Sequence, residues 1–127
     1  IPTTEENIQE KLYTLAMRGN EVFRYAVAHM KDSALSLINR TGIKPEDVDM
    51  VIPHQANLRI INAVAQRLGI PTERVFVNVH KYGNTSGAAV AIALDEAVTS
   101  GRAKKGDIIL LVTFGAGLTW SSAAIRL

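Results

Sequence analysis

A buried strand gives way to a helix in Met50-Val51-Ile52-Pro53-His54-Gln55-Ala56-Asn57. The first three side chains are apolar, and Pro53 has no N–H to donate to a further sheet hydrogen bond, so the strand is predicted to end there. Asn57 is a good N-cap for the apolar-periodic segment that follows it. His54 is therefore predicted to lie in the turn beyond the carboxyl end of a strand, which is where ligands bind in open α/β sheets.

The sequence on either side of this stretch predicts alternating helices and strands. Helices are predicted from Asn20, taken as the N-cap, to about Arg40, from Asn57 to Leu68, and in the alanine-rich segment after Asn84. Strands are predicted at 48–52, 75–79, 107–114 and 118–127. The order α-β-α-β-α-β-β indicates an α/β layered domain with a mixed sheet.

Glycines mark the ends of the predicted elements. Gly42 and Gly69 follow the first two helices and are expected to stop them. Gly115-Ala116-Gly117 is expected to join the last two strands as a hairpin turn. The helix after Asn84 carries small residues almost all round, which predicts burial in close contact with the sheet.

Composition limits the class of protein. The chain has 127 residues, a net charge of +2 and no cysteine. This length suits one domain, here 19–127, preceded by an N-terminal loop or connecting segment, 1–18, with a short ordered piece. The small, dispersed charge argues against a nucleic-acid partner, and the longest apolar run, Ala88 to Leu94, is too short to span a membrane. Without cysteine there is no disulfide or thiolate metal site, and a cytoplasmic location is the default expectation.

His54 has two interpretations. It is either a histidine satisfied by the backbone at a strand end or a hydrogen-bond donor to a substrate. The polar neighbours Gln55, Asn57 and Arg59 favour the second. No metal site is expected, because the three histidines lack the spacing of metal ligands. A general base would need a nucleophile, and none is evident, so donation to an oxyanion is the better role.

Asn84 also has two interpretations. Asparagine beside Gly83 is common in tight turns, because it tolerates positive φ. Alternatively, a helix begins here with Thr85 or Ser86 as its cap, and its free N–H groups favour negative charge. A neutral imidazole from His54 and this carboxamide could then donate two hydrogen bonds to one carbonyl oxygen. Acyl chemistry that passes through an enolate needs such a pair of donors.

Three other features carry weaker signals. Arg59, with Arg67 two turns along the same helix, gives a mildly basic face, which is either a solvated surface or a docking site for an acidic partner or a phosphate-bearing ligand. Gly115-Ala116-Gly117 is either a plain turn or a place where a backbone N–H approaches a ligand. Gly19 and Phe23 lie at the start of the first predicted helix. They are either part of the helix cap and the core, respectively, or contacts to a ligand.

Five motifs follow one another along the chain. They are Gly19-Asn20-Glu21-Val22-Phe23, Val51-Ile52-Pro53-His54-Gln55-Ala56-Asn57-Leu58-Arg59-Ile60, Tyr82-Gly83-Asn84-Thr85-Ser86, Ala93-Leu94-Asp95-Glu96-Ala97 and Phe114-Gly115-Ala116-Gly117-Leu118-Thr119-Trp120. As an ordered set they resemble the C-terminal half of the β-ketoacyl-[acyl carrier protein] synthase III family, which initiates fatty-acid chains. The resemblance implies a thiolase-like layered α/β/α fold of two similar halves, of which this chain supplies the second.

The resemblance also implies a reaction. A cysteine in the first half takes an acyl group from acyl-coenzyme A, malonyl-[acyl carrier protein] is decarboxylated, and the enolate attacks the acyl thioester. His54 and Asn84 match the two donors to the malonyl carbonyl, and the Ala116 N–H matches the donor to the acyl-enzyme oxyanion. No cofactor is implied beyond these substrates. Because this chain has no cysteine, it either works with a cysteine-bearing N-terminal half or is an isolated, non-catalytic module that binds acyl carrier protein or coenzyme A.

Partner contacts are implied in the same way. The positions that match the carrier-protein contact region are Gln55, Ala56, Asn57, Leu58 and Arg59, with Arg67 added to that face. The positions that match the pantetheine channel, for substrate or coenzyme A, are Gly19, Phe23 and Asn57. The resemblance further implies a homodimer, and neither a nucleic acid nor a membrane as a partner.

Overall fold

The computed structural model describes residues 4–10 and 17–127 of the chain. The helices are α1 (Glu5–Gln9), α2 (Gly19–Thr41), α3 (Leu58–Leu68), α4 (Val79–Tyr82) and α5 (Ala89–Thr99). The strands are β1 (Met50–Pro53), β2 (Ile108–Gly115) and β3 (Thr119–Arg126). Short 3₁₀ helices lie at Pro45–Asp47, Thr72–Arg74 and Ser86–Ala88. None of these helices combines the length and the apolar character that a membrane span requires.

The sheet of the described residues is mixed, as predicted. Its order is β1-β2-β3, with β1 parallel to β2 and β2 antiparallel to β3. Side chains alternate between its two faces, because successive residues of a strand point in opposite directions. Val51 packs on one face with α2 and α3, and Ile52 packs on the other with α5. The predicted α/β/α layering is therefore confirmed.

Several predicted boundaries are confirmed. Helix α2 ends at Gly42 and helix α3 at Gly69, and both glycines adopt the left-handed conformation, with φ of 71° and 67°. Asn57 caps α3, since its Oδ1 accepts a hydrogen bond of 2.9 Å from the Ile60 N–H. The last two strands form the predicted hairpin, in which Gly115 pairs with Thr119.

The predicted N-cap of α2 is wrong. The cap position is Arg18, whose side chain makes no capping hydrogen bond, and Asn20 lies inside the first turn. In the predicted connecting segment, α1 is the ordered piece, with Thr4 Oγ1 accepting from the Asn7 N–H as its N-cap. Residues 1–3 and 11–16 lie outside the described residues, so the rest of that prediction stays open.

The strand predicted at 75–79 is also wrong. Val75 makes one parallel bridge to Val51, and the next amide, of Phe76, donates to the Val51 carbonyl. The ladder stops there because the amides of Asn78 and Val79 donate to the side chain of Gln55, and the chain turns into α4. A β-branched run thus becomes a short edge segment followed by a helical turn.

Helix α5 is buried in close contact with the sheet, as predicted, along one of its sides. Ala89, Ala93 and Ala97 recur every four residues and are almost fully buried, and Ala93 and Ala97 pack against the sheet. Their small side chains allow a close approach of helix to sheet. On other sides of the helix Ala91 is exposed and Val98 is 45% exposed.

The Asn57 cap provides a stability test. Asn57→Ala should lower the free energy of unfolding by about 1 kcal/mol, because the Ile60 N–H loses its acceptor. Asn62→Ala, an exposed position inside the same helix, is the matched control and should change stability by less than about 0.5 kcal/mol. Urea titration measures both. Equal losses in the two variants would contradict the capping role.

Candidate active site

His54 lies directly beyond β1. Its backbone N–H donates to the Val112 carbonyl over 2.7 Å, so the residue is fixed at the carboxyl edge of the β1–β2 pair. The side chain is half-buried, and burial lowers the pKa of His54 below its ordinary value of 6.5. Desolvation has this effect because it disfavours the charged imidazolium. At neutral pH the ring is therefore an uncharged imidazole with one N–H to donate.

Gln55 is 1% exposed and connects the His54 turn to the segment before α4. Its Nε2 donates to the Pro53 carbonyl over 2.8 Å and to the Phe76 carbonyl over 3.2 Å. Its Oε1 accepts from the Asn78 N–H over 2.9 Å and from the Val79 N–H over 3.1 Å. The side chain cannot contact a partner from this position, so its prediction as a carrier-protein contact is corrected here.

Asn84 follows α4 and is exposed. Its Oδ1 accepts from the Ser86 N–H over 3.0 Å. Because the carboxamide is planar, holding Oδ1 in this way directs the Nδ2 donors to the opposite side. Ser86 adopts a φ of 55°, a left-handed conformation that costs a non-glycine residue about 1–2 kcal/mol.

The caps predicted after Asn84 are wrong. Thr85 precedes the 3₁₀ helix and makes no capping hydrogen bond with its side chain, and the N-cap of α5 is Ala88. The Asn84 side chain itself supplies the acceptor for a free N–H at this turn.

Helix α4, which leads to Asn84, is also held from the side of α5. Glu96 accepts from Asn78 Nδ2 over 2.8 Å and from Lys81 Nζ over 2.7 Å. The hydrogen bonds from Lys81 and Asn78 lower the pKa of Glu96, and the hydrogen bond to Glu96 raises the pKa of Lys81. Glu96 is thus an ionised brace between two helices.

The hairpin loop lies at the same edge of the sheet as His54, since β1 and β2 are parallel and their carboxyl ends are adjacent. The loop residues are Ala116, Gly117 and Leu118, the last two with φ of 77° and 53°. Thr119 Oγ1 donates to the Ala116 carbonyl over 3.2 Å. The Ala116 residue is exposed.

The predicted binding residues of α2 and α3 meet through one contact. The Arg59 guanidinium lies over the Phe23 ring, 4.6 Å from its centroid. Gly19 is the first residue of α2. The predicted positions that are exposed on α3 or at its cap are Asn57, Leu58, Arg59 and Arg67, and Ala56 is half-buried.

Sequence reasoning missed the residues that hold this site together. Gln55 was interpreted as a carrier-protein contact and Ser86 as a candidate helix cap, and Asn78 was assigned no role. The partners of Gln55 and Asn78 lie up to 24 residues away in sequence, and no local pattern reveals such contacts. The described residues contain no group of three or more histidine, aspartate or glutamate side chains that could hold a metal ion.

The lowered pKa of His54 makes a prediction for stability. The unfolded chain takes up a proton on this histidine below about pH 6.5, whereas the folded chain takes it up only at lower pH. Protonation of His54 therefore does not affect the free energy of unfolding above that pH. As the pH drops from about 6.5 through the pKa of His54 in the folded chain, the free energy of unfolding falls. Urea titrations between pH 8 and pH 5 should show a smaller loss for His54→Gln than for the unchanged protein. If the free energy of unfolding fell equally with pH in His54→Gln and in the unchanged protein, the lowered pKa of His54 would be contradicted.

Comparisons with known proteins agree with this architecture. The family model described as 3-Oxoacyl-[acyl-carrier-protein (ACP)] synthase III C terminal matches residues 38–127. The beta-ketoacyl-[acyl-carrier-protein] synthase III of Caldanaerobacter subterraneus subsp. tengcongensis is 52% identical over 126 residues, which are 99% of this chain and 38% of the relative. That of Aquifex aeolicus is 47% identical over 127 residues, or 96% of this chain and 41% of the relative.

Solved structures give the same result. The crystal structure of 3-oxoacyl-[acyl-carrier-protein] synthase III from Aquifex aeolicus VF5 has a TM-score of 0.86 and 51% identity, covering 88% of this chain and 36% of that one. The synthase III structure from Thermus thermophilus has a TM-score of 0.85 and 54% identity, covering 88% and 35%. The fold is therefore thiolase-like, and the chain spans about 38% of the length of such relatives. The chain belongs to the family of C-terminal domains of 3-oxoacyl-[acyl-carrier-protein] synthase III.

Proposed function

We propose that the full-length protein carrying this chain is an acyltransferase that starts fatty-acid chains by condensing malonyl-[acyl carrier protein] with an acyl-coenzyme A. One observation carries the proposal. A neutral His54 at the end of β1 is connected through Gln55 to the segment that leads to Asn84, whose carboxamide oxygen is already occupied. The two residues therefore have N–H groups to donate to a substrate oxygen.

The chemistry needs such donors at one step. When the bond between the malonyl carboxylate and the adjacent CH₂ breaks, carbon dioxide leaves and its electron pair forms an enolate on the thioester. The developing charge on the thioester oxygen is stabilised by the His54 and Asn84 donors. The enolate carbon then attacks the acyl thioester, and the cysteine sulfur leaves as a thiolate. That cysteine belongs to the N-terminal half, because this chain contains none.

In this proposal the hairpin loop supplies a donor to a second oxyanion, the one that forms on the acyl-enzyme carbonyl. The Ala116 N–H would point towards the acyl-enzyme carbonyl when the enolate attacks it. The support is the position of the loop, which lies at the same sheet edge as His54, and the small side chains of Ala116 and Gly117, which allow a close approach of substrate to backbone.

The proposed carrier-protein surface is formed by the exposed start of α3. Acyl carrier protein is acidic and carries a phosphopantetheine arm, so the Arg59 cation is a suitable partner for it. Leu58 is 53% exposed beside Arg59 and offers apolar contact area. Asn57, Ala56 and Arg67 complete the surface, and Gly19 and Phe23 border the proposed pantetheine channel. A cytoplasmic homodimer completes the proposal and rests on the family alone.

The carrier-protein surface can be tested by charge reversal. In the full-length protein, Arg59→Glu should raise KM for malonyl-[acyl carrier protein] by about 10-fold or more, because a charge-assisted hydrogen bond is lost. Steady-state kinetics with malonyl-pantetheine, which lacks both protein and phosphate, should show a much smaller change. Arg40→Glu, exposed at the end of α2, is the matched control. Equal effects on both substrates would contradict carrier-protein docking at Arg59.

The reaction itself is tested with the unchanged full-length protein. Incubated with acyl-coenzyme A and malonyl-[acyl carrier protein], it should yield a β-ketoacyl thioester and one carbon dioxide per product, measured by mass spectrometry and by label release. The 127-residue chain alone should yield no condensation product, because it has no acyl-accepting thiol. Binding without turnover by the full-length protein would favour a non-catalytic module instead.

A further inference from the structure

We infer that Gln55 is a positioning residue that sets the distance and orientation between the His54 imidazole and the Asn84 carboxamide. The inference rests on the proposed function, in which those two groups donate to the same oxygen. Gln55 touches neither of the two groups with its own side chain amide. It acts through the backbone on which they are mounted.

The hydrogen-bonding capacity of Gln55 is fully used. A carboxamide has two N–H donors and two acceptor sites on its oxygen. The donors go to the carbonyls of Pro53 and Phe76, and the acceptor sites are filled by the amides of Asn78 and Val79. All four partners are backbone groups, and the side chain is 1% exposed. Water therefore has no access with which to replace a lost bond.

These four bonds connect the two catalytic turns. Pro53 directly precedes His54, and Val79 is the first residue of the four-residue helix that ends two residues before Asn84. The same helix is also held by Glu96, which accepts from the Asn78 side chain before the helix and from Lys81 within it. Gln55 is thus the contact that relates the His54 turn to this helix, and the Glu96 brace keeps the helix from moving away from it.

Glutamine is the side chain that fits these partners. Glutamate has the same shape and still accepts from the two amides, but it has no N–H for the two carbonyls. Its second oxygen would face them, and like partial charges repel. Asparagine keeps the amide but is one methylene shorter, so it cannot reach both groups of partners. Either change should shift α4 relative to His54, and a displacement near 1 Å lowers catalysis by about 100-fold.

The test uses the full-length protein with Gln55→Glu and Gln55→Asn, of which the second keeps the amide should the first not fold. Carbon dioxide release from a malonyl thioester should fall by about 10- to 100-fold in both variants. Acylation of the cysteine, measured separately by intact mass, should stay within about twofold, because His54 and Asn84 act on the malonyl group. Gln9→Glu, an exposed glutamine on α1, is the matched control and should leave both rates unchanged.

A second comparison separates positioning from general loss of structure. If Gln55 acts through Asn84, then Gln55→Glu should cost little further activity in an Asn84→Ala background, since coupled residues are not additive. An equal fold-loss in both backgrounds overturns the inference. Loss of decarboxylation in Asn84→Ala but not in folded Gln55 variants also overturns it, and leaves the proposed function standing. Unchanged decarboxylation in Asn84→Ala as well would overturn the proposed function itself.

Discussion

Asn84→Asp in the full-length protein is expected to release carbon dioxide from a malonyl thioester about 100- to 1,000-fold more slowly than the unchanged protein. Aspartate has the shape of asparagine and keeps an oxygen for the Ser86 N–H, so the turn is retained. It lacks the Nδ2 donors, however, and it places a negative charge where the enolate charge develops. Labelled carbon dioxide release measures the effect, and Asn39→Asp, exposed on α2, is the control.

The variant has a second signature. A protonated aspartate carries an O–H that can donate, so its rate should recover partly as the pH is lowered through the pKa of the new carboxyl. In the unchanged protein residue 84 contributes no such rise, because a carboxamide does not titrate. A rate for Asn84→Asp within a factor of about three of the unchanged protein at pH 8 would remove Asn84 from the proposed pair of donors.

His54→Ala should reduce decarboxylation by a similar factor of about 100 to 1,000, because the other donor to the enolate oxygen is lost. Acylation of the cysteine should be little affected. The two half-reactions are measured in separate assays, one by label release and one by intact mass. Removing both donors at once should cost less than the product of the two single losses, because the pair acts on one oxygen.

The pH dependence of the unchanged protein distinguishes a neutral donor from a cationic one. Burial lowers the pKa of His54, so the imidazole is uncharged throughout pH 7 to 8 and the decarboxylation rate should be nearly flat there. An imidazolium donor would give a rate that falls steadily as the pH rises through this range. Such a fall, absent in His54→Ala, would contradict the neutral-donor mechanism.

The elements decided by local chemistry were predictable from sequence. Pro53 ends a strand and Asn57 caps the next helix because each acts on its own backbone neighbours. Gly42 and Gly69 end helices because they adopt the left-handed conformation that other residues resist. The turn of the hairpin and the presence of His54 at a strand end follow from the same kind of local information.

The parts of the fold that depend on distant partners could not be predicted in this way. The run at 75–79 is β-branched, but Gln55, more than 20 residues earlier, takes two of its amides, and a helical turn begins there. The resemblance implied a carrier-protein contact for Gln55, whereas saturation of its hydrogen bonds by four backbone groups allows full burial. The alanine-rich pattern of α5 predicted close packing on the sheet, but it did not show which side of the helix the sheet covers.

The contact between Arg59 and Phe23 has a consequence for the entropy of binding. When a partner fixes an arginine side chain that was free to sample its rotamers, the lost conformational entropy costs about 1.5–2 kcal/mol of binding free energy. The Arg59 guanidinium already lies 4.6 Å from the centroid of the Phe23 ring, so part of this side-chain entropy is lost on folding and not on binding. An anion arriving at this surface meets a cation whose position is set in advance. Without the ring, the same charge would bind more weakly although no contact to the ligand had been removed.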